Sequence, residues 1–302
     1  MQFCYLILHY KNYEDTVKCI KSIYKMSTTG KIVVVDNGSC DGSGEKLQAE
    51  FNGTQCSILV LKKNLGFSAG NNYGYNWIRE NENPEYIIVA NNDVVFVQKE
   101  FEKKIAEIYG KTHFDVLGPD IYIPKHKDHQ NPLFDKGITG IELRREIEQY
   151  KFYEKYPKKF RKRLFLHALK NSICSHSALI RMLYSKVRGI KHLDYRMSYS
   201  NVGLQGACLI LSSDFIKNED KVFDPEPFLY EEEVFLYYRC MRKNYNMVYS
   251  PDIYVRHEEG ASFAKSSNSN LEKLEFMLKH HVKAREMLLE YLENEVDSTE
   301  KD

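Results

Sequence analysis

The stretch "EYIIVANNDVVFV", residues 85–97, decides the fold because it sets three polar residues between two runs of β-branched and apolar residues. Such apolar runs are typical of buried β-strands. A carboxylate or an amide that is buried without a partner costs several kcal/mol, so these polar residues do not belong inside the core. We therefore expect Asn91, Asn92 and Asp93 to mark the point where a strand leaves the core and meets a polar cleft.

The segments around this stretch alternate between strand-like and helix-like patterns. "QFCYLILHY", "KIVVVDNGS" and "CSILVLK" have the composition of strands, and apolar residues recur at helical spacing between them. The alternation predicts an α/β fold with a mostly parallel sheet. The pattern breaks after Pro124, returns as a strand in "GLQGACLILSSDF", and ends in an amphipathic, charged helix from Asn270.

Composition excludes several classes of protein. Of the 302 residues, 43% are hydrophobic, which suffices for one large domain or two lobes. The 43 Lys and Arg balance the 42 Asp and Glu, so the charge gives no indication of a nucleic-acid partner. The seven cysteines are scattered and form neither a disulfide framework nor a zinc-ligand pattern. The first apolar run is too short for a signal peptide or a membrane span, and we expect a cytoplasmic protein.

Polar residues follow four of the predicted strands. Ligands of open α/β sheets bind at the carboxyl ends of the strands, so these positions predict one site. Each position alone is also explained by a turn or by core packing. The four groups are His9 with Tyr10, Asp36 with Asn37, Lys62 to Asn64, and Asn91 to Asp93.

The glycine pattern excludes two common nucleotide sites. No glycine follows the first strand directly, and no G-x-x-x-x-G-K-[ST] occurs, so neither a dinucleotide fingerprint nor a P-loop is present. "NLGFSAGNNYG" carries glycines at 66, 70 and 74. Close helix packing and close approach of the backbone to a ligand both explain this spacing.

Carboxylates and one histidine are the candidates for chemistry. Asp93 suits Mg²⁺ or Mn²⁺, which share oxygen ligands with substrate phosphates, and His257 at the end of a late strand is a candidate second ligand. Glu231, Glu232 and Glu233 stand between the apolar segments "PFLY" and "VFLYYR". They complement a helix dipole, and the aromatic surroundings would also raise their proton affinity, as a general base requires.

Seven segments in this order resemble the family 2 glycosyltransferases with the GT-A fold, in particular the bacterial, rhamnosyltransferase-like branch that builds surface polysaccharides. They cover residues 1–124 and roughly 203–265. The segments are "LILHYKNYEDTVKCIKSI", "IVVVDNGSCDGS", "KKNLGFSAGNNYGYNW", "IIVANNDVVF", "GACLILSSDF", "FLYEEEVFLYYR" and "YSPDIYVRHEEGAS".

The resemblance implies the architecture and its division. It implies a mostly parallel, Rossmann-like nucleotide-binding sheet flanked by helices, with a helical insert and a C-terminal helix. Residues 1–124 would be the donor-binding half and 203–265 the acceptor and catalytic half. Residues 125–202 would be a variable, partly helical basic insert, and 266–302 a C-terminal helix with an acidic tail.

The resemblance also implies roles for the matched residues. Asp93 would hold a divalent metal, Mn²⁺ or Mg²⁺, together with His257, and Glu233 or Glu232 would be the catalytic base. Asp36 would contact the base of the nucleotide. The other residues implied to line the nucleotide-sugar pocket are His9, Tyr10, Asn64, Gly66, Phe67, Asn71 and Asn92, and Gly206 with Ala207 would begin the acceptor-side strand.

Two positions depart from the family pattern. Asn91 stands where the first acid of the metal-binding motif is expected, and Phe235 stands where many relatives carry an acid. The choice of base among Glu231, Glu232 and Glu233 therefore stays open. A catalytically degenerate nucleotide- or glycan-binding protein stays an alternative, whereas a metal-dependent nucleotidyltransferase usually has a basic, Gly-rich loop that this chain lacks.

The implied activity is an inverting, metal-dependent transfer of a sugar. The donor would be a nucleoside-diphosphate-sugar and the acceptor a glycan or a polyprenyl-diphosphate-linked glycan, in surface polysaccharide biosynthesis of the cell envelope. The basic run from Lys155 to Lys170 is compatible with peripheral contact at the inner face of the plasma membrane. A solvated helix face or a subunit contact explains the same run.

Overall fold

A single β-sheet positions the residues singled out above. The computed structural model describes residues 2–26, 30–53, 55–125, 127–163, 193–258 and 270–299. Among these residues ten strands form one sheet. The strands are β1 (Phe3–His9), β2 (Lys31–Asp36), β3 (Cys56–Val60), β4 (Tyr86–Asn91), β5 (Val94–Phe96), β6 (Val116–Ile123), β7 (Asp128–His129), β8 (Tyr199–Ser200), β9 (Cys208–Ser212) and β10 (Met247–His257).

Helices cover the sheet or form a separate unit. The helices that belong to the unit of the sheet are α1 (Tyr13–Met26), α2 (Ser43–Phe51), α3 (Phe67–Asn81), α4 (Phe101–Thr112), α6 (Ser213–Asn218) and α7 (Glu232–Arg242). The helices of the other unit are α5 (Gly140–Lys155) and α8 (Asn270–Thr299).

The first half of the sheet is parallel, as the sequence predicts. The strand order is β3-β2-β1-β4-β9-β6-β10-β5, and the first four strands run parallel to one another. The second half is mixed: β9 is antiparallel to both β4 and β6, and β10 is parallel to β6 but antiparallel to β5. The expectation of a mostly parallel sheet therefore holds for one half only. A long segment of the chain precedes β9, and this segment is not a β-α-β crossover. β9 therefore lacks the connection that makes neighbouring strands parallel.

The central strands are buried on both faces. Nearly every residue of β1, β2 and β4 is buried, which matches their continuous β-branched and apolar runs. Ile20 and Ile23 of α1 belong to the core cluster that these strands build. The register sets His9 beside Asp36 and Leu8 beside Asn91. The carboxyl ends of β1, β2 and β4 therefore meet at one edge of the sheet.

The chain divides into two compact units whose boundaries differ from the expected pieces. Residues 1–137 and 194–266 form the first unit, and residues 138–193 and 267–302 form the second. The first unit joins the two expected halves, and the second combines most of the insert with the C-terminal helix. The functions assigned to these pieces stay predictions.

The second unit is a helical assembly. A capping box begins α5, in which the Thr139 N–H donates to Glu142 Oε2 (2.9 Å) and the Glu142 N–H donates to Thr139 Oγ1 (3.3 Å). Lys151 of α5 pairs with Glu286 of α8 at 2.6 Å. Residues 157–163 are also helical, and the predicted continuation of this basic run over residues 164–170 lies outside the described residues. Among the described helices, none is long and apolar enough to cross a membrane.

Candidate active site

His9 lies at the end of β1 but faces the protein interior. Its side chain is fully buried, with Nδ1 2.7 Å from Thr16 Oγ1 and Nε2 2.8 Å from Ser43 Oγ. Burial lowers the pKa of His9 to about 4, so the imidazole is neutral near pH 7. Both ring nitrogens contact hydroxyls of α1 and α2, and a role of His9 in the nucleotide pocket stays a prediction. Tyr10, the next residue, is partly exposed.

The Asn92 side chain also faces the interior. Its Nδ2 donates to Thr16 Oγ1 (2.9 Å) and to the Asn12 carbonyl (3.4 Å), and only 6% of the residue is exposed. Asn92 thus fixes the turn between β4 and β5 against α1. This contact also restrains the neighbouring Asp93, and contact of Asn92 with the donor stays a prediction.

Asp36 organises the turn after β2. Its Oδ1 accepts hydrogen bonds from Ser39 N (3.1 Å) and Ser39 Oγ (2.5 Å). A Cβ at Gly44 would lie 2.1 Å from Asp36 Oδ2, so the first turn of α2 needs glycine to admit this carboxylate. Burial raises the pKa of Asp36. Contact of Asp36 with a nucleotide base stays a prediction.

Asn37, one of the polar strand-end residues that the sequence singled out, holds the loop before α3. Its Oδ1 accepts from Leu65 N (2.9 Å), and its Nδ2 donates to the Gly66 carbonyl (2.9 Å) and to Asn64 Oδ1 (3.1 Å). Asn64 Oδ1 also accepts from Gly66 N at 2.7 Å. The two predicted pocket residues Asn64 and Gly66 are thereby fixed at the end of β2.

Gly66 is required by both its conformation and its surroundings. Its φ is +87°, and a Cβ on it would lie 2.5 Å from the Phe228 carbonyl oxygen. The same carbonyl accepts from Phe67 N at 2.7 Å. Because Phe228 precedes the acidic residues by a few positions, this contact brings the loop before α3 next to the start of α7.

The start of α3 carries buried polar atoms without partners. Asn72 is not one of them, because both ends of its amide are hydrogen-bonded: Oδ1 accepts from Val222 N (2.9 Å), and Nδ2 donates to the Phe223 carbonyl (2.7 Å). Asn71 Nδ2 donates to the Phe67 carbonyl (3.0 Å), but in the described part of the chain Asn71 Oδ1 and Ser68 Oγ have no partner. A buried acceptor without a partner costs about 1–3 kcal/mol, so a polar ligand group at this point would be stabilising.

Asp93 and His257 meet, as the sequence predicts. Asp93 Oδ1 lies 3.1 Å from His257 Nε2, and the His257 Nδ1 lies 2.7 Å from Gln130 Oε1. If Nδ1–H donates to the Gln130 carbonyl oxygen, the Nε2 lone pair faces the Asp93 carboxylate. Two such electron-rich atoms need a proton or a cation between them. Gln130 is a partner that no sequence signal indicated.

This pair fits a divalent cation whose other ligands come from a substrate. A carboxylate oxygen and an imidazole nitrogen are both ligands for Mn²⁺, and hydrogen bonding of the second ring nitrogen is usual for a metal-bound histidine. Among the described residues, no group of three His, Cys, Asp or Glu is placed to hold a metal by itself. Phosphate oxygens would therefore have to complete the coordination, as in many Mg²⁺ and Mn²⁺ sites.

The acidic residues begin α7 through an unusual turn. Tyr230 and Glu231 have φ values of 71° and 65°, so two consecutive residues with side chains adopt the left-handed conformation. Such residues are uncommon, and they are concentrated at functional sites. The turn sets Glu232 and Glu233 at the first positions of the helix. Phe235, where the resemblance implies an acid in many relatives, is fully buried.

Glu232 and Glu233 are surrounded by protein atoms although solvent reaches part of each side chain. Burial raises the pKa of Glu233 to about 7, and the Gly206 N–H that donates to it opposes this increase. Burial and the adjacent Glu233 raise the pKa of Glu232 well above its usual range. Within the described residues Glu232 Oε2 has no hydrogen-bond partner. Glu233 is thus a partly desolvated base with a backbone donor, which suits proton transfer near neutral pH.

One backbone contact joins the two carboxylate centres. The Ala207 carbonyl accepts from Asn91 N at 2.9 Å, so Gly206, the partner of Glu233, lies beside the end of β4. Asp93 follows two residues later. The structure therefore gathers most predicted site residues at one edge of the sheet: Asp36, Asn64, Gly66, Phe67, Asn71, Asp93, Gly206, Glu232, Glu233 and His257.

Known proteins resemble this chain in sequence and in fold. Residues 5–188, more than half of the chain, match the family model described as glycosyl transferase family 2. The low-salt glycan biosynthesis hexosyltransferase Agl10 of Haloferax volcanii is 29% identical over 117 residues, which are 38% of this chain and 35% of that protein. The chain thus spans about a third of this curated relative.

Two crystal structures of TarS residues 1–349 from S. aureus share the fold. One has a TM-score of 0.51 at 14% identity, over 94% of this chain and 71% of that chain. The other, in complex with UDP, has a TM-score of 0.51 at 14% identity over 90% and 68%. At this identity the likeness concerns the fold. With the family match over residues 5–188, it leads to one conclusion: the chain belongs to glycosyl transferase family 2 and has the GT-A fold.

Proposed function

We propose that the protein is an inverting, metal-dependent glycosyltransferase that moves a sugar from a nucleoside-diphosphate-sugar to a hydroxyl of a glycan. The observation that carries this proposal is the placement of a base with a pKa of about 7, Glu233, at the same sheet edge as the Asp93–His257 pair. A base for the acceptor and a site for the diphosphate are the two requirements of the reaction.

The donor pocket is assigned to the ends of β1 and β2 and the start of α3. Tyr10, Asp36, Asn64, Gly66 and Phe67 would line it, and the unpartnered Asn71 Oδ1 would accept a hydrogen bond from a donor hydroxyl. The fold likeness to a TarS fragment crystallised with UDP supports a nucleotide donor.

Asp93 and His257 would hold the divalent metal, Mn²⁺ or Mg²⁺, and Gln130 would orient the imidazole. When bound, such a cation neutralises negative charge on a diphosphate leaving group. Asn91 in place of an acid leaves one carboxylate at this position, so the diphosphate itself would supply more of the charge that holds the cation.

Glu233 would remove the proton of the acceptor hydroxyl. The hydroxyl oxygen forms a bond to the anomeric carbon on the face opposite the diphosphate, the bond to the diphosphate oxygen breaks, and the configuration inverts. The Gly206 N–H would hold the Glu233 carboxylate in place during this step. Desolvation by the surrounding protein gives the carboxylate the proton affinity that the step requires.

Release of nucleoside diphosphate from a panel of UDP-, dTDP- and GDP-sugars tests the donor half of the proposal. We expect slow hydrolysis of one donor with Mn²⁺ or Mg²⁺, and loss of hydrolysis with EDTA or in Asp93→Ala. If no donor is hydrolysed, metal-dependent binding of one nucleotide would still support the donor site. Failure of every nucleotide to bind would contradict the proposal.

The acceptor is proposed to be a glycan or a polyprenyl-diphosphate-linked glycan in surface polysaccharide biosynthesis, which places the enzyme in the cytoplasm beside the membrane. Agl10, named as a glycan biosynthesis hexosyltransferase, supports a glycan pathway. A preparation of polyprenyl-linked glycans that stimulates release of the diphosphate would support this acceptor. A free oligosaccharide that is equally effective would exclude a requirement for the lipid.

A catalytically degenerate binding protein is the second candidate. Phe235 and Asn91 favour it, because both stand where the family pattern has an acid. The two candidates differ in turnover: a degenerate protein would bind the donor tightly and leave it intact during prolonged incubation with metal and acceptor.

A further inference from the structure

Six basic residues of the second unit have no acidic partner among the residues that the structure describes. Lys155, Lys158, Lys159, Arg161, Lys162 and Arg163 are all exposed, and none of them forms an ion pair with a carboxylate in the described part of the chain. Other basic residues of the same unit do, such as Lys151 with Glu286 and Arg285 with Glu146. The whole chain has nearly equal numbers of basic and acidic residues, so this concentration of charge is local.

The position of the basic residues is fixed by one buried side chain. Phe160 lies in their midst, is 7% exposed, and packs against Leu274 and Leu278 of α8. Burying a phenylalanine stabilises by roughly 1.5–3 kcal/mol, enough to hold this short helical segment in place. The neighbouring cations consequently remain on the outside of the unit.

Exposed aromatic rings accompany the charges. Phe152 and Tyr156 are 45% and 40% exposed, and the Lys159 Nζ lies 5.0 Å and 4.7 Å from their ring centroids. We call Phe152, Lys155, Tyr156, Lys158, Lys159 and Lys162 the basic-aromatic surface. Aromatic rings with basic side chains around them are the combination found where proteins lie at the interface of a bilayer.

We infer that the basic-aromatic surface docks the protein on an anionic lipid bilayer. The lysines contact headgroup phosphates, and Phe152 with Tyr156 enters the headgroup layer. Each basic residue near an anionic membrane strengthens binding about fivefold, and the attraction decreases with salt. A bilayer interface would accommodate the exposed part of the Phe152 ring. This inference uses only residues of the second unit and does not depend on the transfer reaction.

Co-sedimentation of the full chain with vesicles tests the inference. We expect binding to phosphatidylglycerol–phosphatidylcholine vesicles at low salt, loss of binding at high salt, and little binding to pure phosphatidylcholine. Replacement of Lys158, Lys159 and Lys162 by Gln keeps most of each side-chain stem and should weaken binding about 100-fold, from a factor of about five for each lysine. Equal binding by this variant and the native chain would overturn the inference.

A matched control removes the same charge elsewhere. Lys46, Lys111 and Lys217 are exposed on the first unit, and their replacement by Gln should leave vesicle binding within about threefold of native, because they lie outside the docking surface. If the control loses as much binding as the test variant, net charge and not the surface explains the attraction, and the inference is wrong.

Two further measurements separate this partner from others. Phe152→Ser with Tyr156→Ser keeps every charge and should weaken vesicle binding at least tenfold, and unchanged binding would contradict insertion of the rings. Single-stranded oligonucleotides are the competing polyanion. If an oligonucleotide binds more tightly than the vesicles at equal salt, the surface is a nucleic-acid site and docking on lipid is excluded.

Discussion

At the scale of single residues, a chain of hydrogen bonds connects Asn92, the neighbour of Asp93, to Asp41 in the loop after β2. Ser43 Oγ donates to Asp41 Oδ1 at 2.5 Å, and Thr16 Oγ1 donates to the Asn12 carbonyl at 2.9 Å. Between these two hydroxyls, the His9 ring nitrogens lie 2.8 Å from Ser43 Oγ and 2.7 Å from Thr16 Oγ1. Thr16 in turn accepts from Asn92 at 2.9 Å. The chain ends at the Asp41 carboxylate, whose pKa is lowered by its hydrogen bonds with Ser43.

Thr16→Val removes the hydroxyl at the centre of this chain while keeping the shape of the side chain. It removes the partner of His9 Nδ1 and the shorter of the two contacts of the Asn92 amide, so we expect the free energy of unfolding to decrease by about 1–3 kcal/mol. Because Asn92 positions Asp93, the metal concentration for half-maximal activity should also increase. Denaturant unfolding and a metal titration check this. Thr16→Ser should restore both, and a purely structural role would leave the metal titration unchanged.

The pKa of Glu233 makes the stability of the protein depend on pH. The folded-state pKa of about 7 lies above the usual value for glutamate, so the folded state binds more protons between these two values. Stability contributed by the protonated carboxyl is present below the usual pKa and is lost as the pH rises through 7. Glu233→Gln should therefore be more stable than the native chain at pH 8 but not at pH 4, which melting temperatures at the two pH values will test. A constant difference would contradict the raised pKa.

The residue patterns predicted contacts near strand ends better than they predicted exposure. Asp93 and His257 follow β-branched strands, and the structure brings them together. His9 and Asn92 have the same kind of position in the sequence, and all four residues are at most 9% exposed, yet the side chains of His9 and Asn92 contact Thr16. Their partner Thr16 lies on α1, and no pattern in a single sequence pairs a strand-end side chain with one hydroxyl of a neighbouring helix.

At the scale of elements, the approach of α3 to the loop before α7 depends on Gly66. Gly66→Ala would strain a backbone with φ +87° and ψ 177°, and it would bring Cβ within 2.5 Å of the Phe228 carbonyl oxygen. We expect a loss of more than about 2 kcal/mol in stability and weaker donor binding, because the loop must move. Calorimetric titration with the donor nucleotide and denaturant unfolding measure the two effects.

Gly42→Ala is the matched control for this substitution. Gly42 also has a positive φ, +80°, but a Cβ there would meet nothing within 4 Å. Only the left-handed backbone is then strained, at a cost of about 1 kcal/mol, and donor binding should be unchanged. Equal effects of the two substitutions would show that backbone strain alone, without the contact with Phe228, explains the effect of Gly66→Ala.

The regular elements followed from the sequence where hydrophobic periodicity is strong. β1 to β4 and the helices between them have continuous apolar runs or clear helical spacing, and the structure forms them in parallel order. The sequence did not predict the antiparallel direction of β9. Residues 125–207 separate β9 from the earlier strands, and pairing partners so far apart in the chain leave no local pattern. The left-handed turn at Tyr230 and Glu231 is equally invisible to propensity, since neither residue favours that conformation.

At the scale of the whole molecule, catalysis and docking are assigned to different units. Glu233→Gln should leave vesicle binding unchanged, and the variant with Lys158, Lys159 and Lys162 replaced by Gln should leave release of nucleoside diphosphate in solution unchanged. The reason is that each change touches side chains of one unit only. Both assays on both variants check the separation, and loss of both activities in either variant would contradict it.

Global charge did not predict this division. The near balance of 43 basic and 42 acidic residues describes the chain as a whole. The sequence shows the basic run, but the ion pairs of the structure are needed to show which of its described residues lack an acidic partner. The predicted boundary at Pro124 marks the end of the regular pattern. Assembly of the C-terminal helix with the insert depends on packing between segments over a hundred residues apart.

Turnover and donor binding of Glu233→Gln, measured on the same preparation, test the central claim most directly. Gln keeps the shape of the side chain but cannot accept the acceptor's proton, and a general base contributes about 10²–10⁴-fold to the rate. We predict that release of nucleoside diphosphate falls by that factor while the affinity for the donor stays within about threefold of native. Native turnover in Glu233→Gln would contradict the assignment of the base and the mechanism built on it.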